Sequence, residues 1–163
     1  MAGASANWTF SEDDFGAIST SLRRFIDDTG SLCAMLVDRA GQLVTSVGAA
    51  PGLDATTFAT LTAADFGAND QLARILGETE FTTLFHQGER ESVYAADVAK
   101  RLILVVIFDS RTSAGLVRLK LKPKVEELTS LLDQALSHAR SSASGNGKLL
   151  QGAEEEIDKL FDW

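Results

Sequence analysis

Positive charge gathers in one stretch of this chain. Arg111, Arg118, Lys120, Lys122 and Lys124 follow one another closely in a protein that is otherwise acidic. Cations so placed could neutralise phosphate, and an arginine among them could act as a finger on a transferring phosphoryl group. The same pattern also fits a solvated helix face, and spacing alone leaves both open. The other reactive side chains are sparse. His86 and His138 each lack a second ligand at metal spacing, so both are expected to be polar surface histidines. Cys33 is the single cysteine and sits in an apolar run, which excludes an internal disulfide and predicts a buried thiol. Carboxylates cluster at Glu12-Asp13-Asp14, at Asp27-Asp28 and near the C-terminus, where helix starts and solvation account for them. The chain has no G-x-x-x-x-G-K-[ST], no G-x-G-x-x-G after a strand and no G-x-S-x-G elbow. No catalytic residue, metal site or cofactor is therefore expected, and a small-molecule enzyme is the least supported class.

These residues belong to 163 positions, enough for one well-buried core with tails and too few for two full domains. A net charge of −8 opposes nucleic acid and anionic membrane surfaces as partners. The longest apolar run, Leu102 to Phe108, falls far short of the roughly 20 residues that span a bilayer, so no membrane insertion is expected. The N-terminus lacks a signal-peptide pattern, and the expected location is cytoplasmic.

The positioning elements can be read in order. Ser11 is a candidate N-cap with Asp14 three residues on, and Phe10 and Phe15 occupy hydrophobic-staple positions. Phe15, Ile18, Leu22, Phe25 and Ile26 then keep helical spacing up to a stop at Gly30. Leu32–Val37 and Gln42–Val47 read as strands joined by the turn Asp38-Arg39-Ala40-Gly41. A second helix is predicted from Asp54 to about Gly77, with Leu61, Ala68, Leu72, Ile75 and Leu76 as its core face. Beside them runs a flat stripe of Thr60, Ala64, Gly67, Gln71 and Arg74. A glycine inside a helix costs about 1 kcal/mol relative to alanine, so Gly67 predicts either close packing within the fold or a docking surface. Three strands follow: Phe81–His86, Ser92–Val98 and the doubly apolar, central Leu102–Phe108.

From Ala114 the pattern is mixed. Val117 to Lys122 alternates like a strand, whereas Leu121, Val125, Leu128, Leu132 and Leu136 hold helical spacing across Pro123. A helix over most of 114–138 is the expectation. Four regions result: a disordered 1–9, a domain over 10–139, a flexible Ser/Gly-rich linker over 140–153, and an acidic segment over 154–163. In that last segment Ile157, Leu160 and Phe161 fall at i, i+3 and i+4, as in a helix that docks into a partner's groove; a solvated acidic tail, or one that folds back on its own domain, fits the same residues.

Several stretches in order carry a family resemblance: Leu36-Val-Asp-Arg-Ala-Gly-Gln-Leu-Val, Leu61-Thr-Ala-Ala, Leu72-Ala-Arg-Ile-Leu-Gly-Glu-Thr-Glu-Phe, Phe85-His-Gln-Gly and Leu104-Val-Val-Ile-Phe-Asp-Ser-Arg-Thr-Ser-Ala-Gly-Leu-Val-Arg. Over about residues 10–139 the chain resembles the roadblock (dynein-light-chain-like) family, and within it the bacterial MglB-type GTPase activators. That resemblance implies an α/β (α+β) fold in the order α-β-β-α-β-β-β-α, with a five-stranded antiparallel sheet sandwiched by helices. It implies a homodimer joined through edge strands and second helices, which places Phe81, Thr83 and Phe85 on the pairing strand. The implied partner is a small Ras-like, MglA-like GTPase in bacterial polarity and motility, so a cell pole is one expected place of action. Its docking surface would include Thr60, Ala64, Gly67, Ala68, Gln71 and Arg74 on the second helix, with Ile157, Leu160 and Phe161 as a tether. Activation would remodel the GTPase's own switch residues without an arginine finger. Two other readings stay open: an adaptor that binds a GTPase or a polarity scaffold without stimulating hydrolysis, and a small-molecule sensor, which would need an apolar cavity.

Overall fold

The structure, a computed structural model, describes residues 10–79 and 82–161, with side chains of 146–151, 153–159 and 161 excepted. The expected disordered segment 1–9 lies outside the described residues. The first helix, α1 (Glu12–Thr29), opens on Ser11, whose hydroxyl accepts the Asp14 N–H, and closes on Gly30 at φ +71°. Phe10 packs on the core, but Phe15 is 43% exposed, so the apolar face of α1 begins at Ile18.

Strands β1 (Cys33–Asp38) and β2 (Leu43–Gly48) form the first hairpin. At its turn the Asp38 carboxylate accepts the N–H groups of Ala40 and Gln42, and Gly41 takes a φ of +91°. Helix α2 (Ala55–Ile75) starts on Asp54, which caps the Thr57 N–H and Thr57 hydroxyl; those bonds hold its carboxyl below the ordinary range. It ends in a Schellman motif: Glu78 N–H donates to Ala73 and Gly77 N–H to Arg74, with Gly77 left-handed. Strands β3 (Thr83–Gln87), β4 (Glu91–Val98) and β5 (Leu102–Asp109) follow, then α3 (Ala114–Phe161).

All pairings are antiparallel and the sheet order is β2-β1-β5-β4-β3, which makes β2 and β3 its edges. Strand alternation divides the core between the two faces. On β5, Leu102, Leu104, Val106 and Phe108 face the layer of α1 and α3, while Ile103, Val105 and Ile107 face α2. Both faces of β5 are dry, as its uninterrupted apolar run predicts.

Three expectations change. The face of α2 turned to the sheet is Ala59, Phe66 and Ala73, while Leu61, Leu72, Ile75 and Leu76 are 56–80% exposed and Ala68 is exposed. Helical periodicity detects two apolar stripes on α2, and the sheet takes the one holding the largest ring, Phe66. The third strand begins at Thr83, and Phe81 lies outside the described residues. The last helix absorbs Pro123 and stays helical across 140–153, where composition marks a linker. Its alternating stretch 117–122 is helix because Val117, Leu121, Lys124 and Leu128 share one buried side. Pro123 removes the bond to the Leu119 carbonyl, but that residue is 70% exposed, so water can satisfy the group.

Candidate interaction surface

Helix α2 lies with its whole outer face open. With about 100° between successive residues, Ala59, Phe66 and Ala73 mark the inner line. Away from it, from the outer side round to one flank, Ala68, Ala64, Gln71, Thr60, Gly67 and Arg74 are all exposed, so the predicted stripe is a continuous exposed surface. A Cβ built on Gly67 meets nothing within 4 Å. Close packing inside the protomer therefore does not account for this glycine.

The surface has two flanks. Thr60 sits on the side of the β1–β2 turn: a Cβ on Gly41 would come 3.0 Å from the Thr60 Cα, and the Thr60 hydroxyl lies 3.2 Å from the Gly41 carbonyl. Asp65 sits on the side of edge strand β3, where its carboxylate contacts His86 Nε2 at 2.5 Å. Leu61 and Leu72 occupy that β3-ward flank, at 64% and 56% exposure. Phe66 is fully buried and takes no part in the outer surface.

An ion cluster fixes the helix in place. Arg39, from the β1–β2 turn, reaches Asp70 of α2 at 3.3 Å and also pairs with Asp97 of β4. Turn, helix and sheet thus share one guanidinium, whose planar fork suits two carboxylates. Sequence reasoning passed over Arg39 because neither of its acidic partners is near it in the chain.

The basic cluster divides in the fold. Lys124 is buried and donates to the Ser21 carbonyl, the Ser21 hydroxyl and Glu127. Arg111 folds back on Asp109, and this bond holds the Asp109 carboxyl below the ordinary range. Arg118, Lys120 and Lys122 remain exposed on α3. His138 lies 3.1 Å from Asp14 on α1 and lowers that carboxyl's pKa through the hydrogen bond. Cys33 is buried, and desolvation pushes its thiol up. Among the described residues no group of His, Cys, Asp and Glu could hold a metal, and no helix is long and apolar enough to cross a membrane.

Of the residues expected on the pairing strand, Thr83 and Phe85 lie on β3, exposed, at the sheet edge. In the C-terminal segment Leu160 is 80% exposed, while the side chains of Ile157 and Phe161 lie outside the described residues.

A small antiparallel sheet between one helix and a helix pair, with a bare edge strand beside a bare helix face, agrees with the Roadblock/LC7 domain, whose family model matches residues 18–108. The chain belongs to the Roadblock/LC7 family, among its MglB-type members. It is 42% identical to Myxococcus xanthus MglB, covering 74% of this chain and 98% of that one, with a TM-score of 0.70. The gliding protein MglB of Thermus thermophilus is 30% identical, with 79% and 98% covered and a TM-score of 0.75. A further MglB structure, 30% identical and described as a tetrameric arrangement, covers 79% of this chain with a TM-score of 0.75. No curated protein matches the chain. This roadblock protein thus has the expected α/β architecture of five antiparallel strands between helices.

Proposed function

We propose that this roadblock protein is a homodimeric activator of a small Ras-like, MglA-type GTPase and performs no covalent chemistry itself. The observation that supports it most is the bare outer face of α2 beside the bare strand β3. Exposed Leu61, Leu72, Ile75 and Leu76 carry a hydrophobic penalty that a partner relieves, at about 1.5–3 kcal/mol for each large side chain fully buried. The β3-ward flank suits a second copy, which would also pair the edge strand and remove its open hydrogen-bonding groups. The other flank, Thr60, Ala64, Gly67, Gln71 and Arg74, is low and polar and suits the backbone of a GTPase switch region.

Activation then comes from ordering the partner's switches so that its own residues reach the nucleotide. This reading assigns no finger to this chain: Lys124 is committed inside the domain and Arg111 is paired with Asp109, while Arg118 stays exposed and is the arginine to test. The C-terminal segment, whose Leu160 is exposed, would tether the GTPase on a separate surface and raise effective concentration.

Single-turnover GTP hydrolysis by the cognate GTPase, with and without stoichiometric dimer, tests this. Acceleration of at least tenfold, abolished by Gly67→Arg, is the expected result. Binding without acceleration makes the protein an adaptor; absence of binding overturns the reading.

A further inference from the structure

On the face of the sheet opposite α2, a groove of about 960 Å³ opens between edge strand β3 and the first turns of α3. Its floor is apolar: Phe85 stacks on Tyr94 with ring centroids 4.5 Å apart, and Leu121 and Val125 close the helix side. Arg118 and Lys122 stand on the helix rim, both exposed. The acids in the lining are Asp97, already paired with Arg39, and Glu126. An apolar floor under a basic rim selects an acidic peptide with a short apolar stripe.

This chain contains such a peptide. Residues 154–161 read Glu-Glu-Glu-Ile-Asp-Lys-Leu-Phe, with apolar residues at i, i+3 and i+4 and a lysine that would meet Glu126. We infer that, when no GTPase holds it, the C-terminal segment of another copy of this chain occupies the groove, so that the groove and the GTPase compete for one segment; this rests on the function proposed above. Its own segment cannot reach it, because residues 122 and 157 lie on one helix, about 50 Å apart at 1.5 Å per residue. In a dimer paired through β3, as proposed above, the two grooves would adjoin, so the partner's tail, about 50 Å along its own helix from its own groove, would be remote from this one as well. The peptide therefore comes from a chain outside the pair, and the contact joins dimers.

Sedimentation of the full chain at rising concentration tests the contact, alongside two double variants. Arg118→Glu with Lys122→Glu spoils the groove, and Ile157→Asp with Leu160→Asp spoils the tail. Circular dichroism melting checks that both fold. The wild type is expected to gain mass above the dimer, more at low salt than at high salt because exposed charges are screened. Each variant alone should associate at least tenfold more weakly. Their equimolar mixture should associate again, since one variant keeps the tail and the other the groove. A wild type of constant mass, a groove variant that assembles like the wild type, or a mixture that fails to recover overturns the inference. The β3 pairing is read separately, from the mass of the two variants. Dimers uphold it; monomers remove it and leave the mixture to decide the groove–tail contact.

Discussion

The guanidinium of Arg39 lies over the ring of Phe66, 5.1 Å from its centroid, while the same group binds acids on both α2 and β4. A turn residue thereby sets the height and rotation of the helix that carries the docking surface. Removing it leaves Asp97, whose side chain is 13% exposed, without its main partner. Arg39→Ala should cost about 2 kcal/mol, between the values for exposed and buried pairs, read as a lower urea midpoint at unchanged slope. Arg39→Lys should recover little, since an ammonium cannot serve two carboxylates and a ring face together.

Gly67 separates stability from function. Because its Cβ position is empty, Gly67→Ala should stabilise the isolated protein by about 1 kcal/mol. Gly67→Arg should melt no lower than the wild type, yet lose GTPase binding through bulk on the outer face. A Gly67→Arg variant that binds normally would move the docking surface off α2.

Glu127 gives the fold an acid-sensitive clasp. The hydrogen bond from Lys124 holds its carboxyl below the ordinary value of 4.5. The unfolded chain then takes up this proton first, so the contribution is full above about pH 4.5 and is lost as pH falls below it. Glu127→Gln should be less stable than the wild type at neutral pH, with the two curves converging in acid. Denaturant midpoints from pH 7 to pH 3 measure it.

Arg111→Ala and Arg118→Ala should each leave maximal GTPase activation within several-fold of the wild type. An arginine finger contributes 10³–10⁵ in rate, so a loss of that order in single-turnover hydrolysis would reassign the chemistry to this chain.

Caps, turns and the doubly apolar strand β5 were legible in the sequence because each depends on neighbours in the chain. Ser11, Gly30, Asp38 and Asp54 do what their types and positions predict. The orientation of α2 was less legible. Two apolar stripes fit its periodicity, and only packing against the sheet shows that Phe66 goes inward while Leu61 and Leu72 stay out. The outward stripe holding Gly67 could be read from its small side chains, since a helical glycine demands an account. Arg39 and the groove under Phe85 could not, for both join residues far apart in the chain.

The continuity of α3 has a geometric consequence. In one unbroken helix, residues 157–161 are locked in phase with the domain face set by Val117, Leu121 and Leu128. Each residue added between 141 and 147 would turn that end by about 100° and advance it by about 1.5 Å. A full set of insertions, one to four residues long, would sample a complete revolution and nearly restore the starting azimuth at four. Affinity of the C-terminal segment for its target should then oscillate with insertion length, whereas a slack tether would show only a gentle monotonic drift.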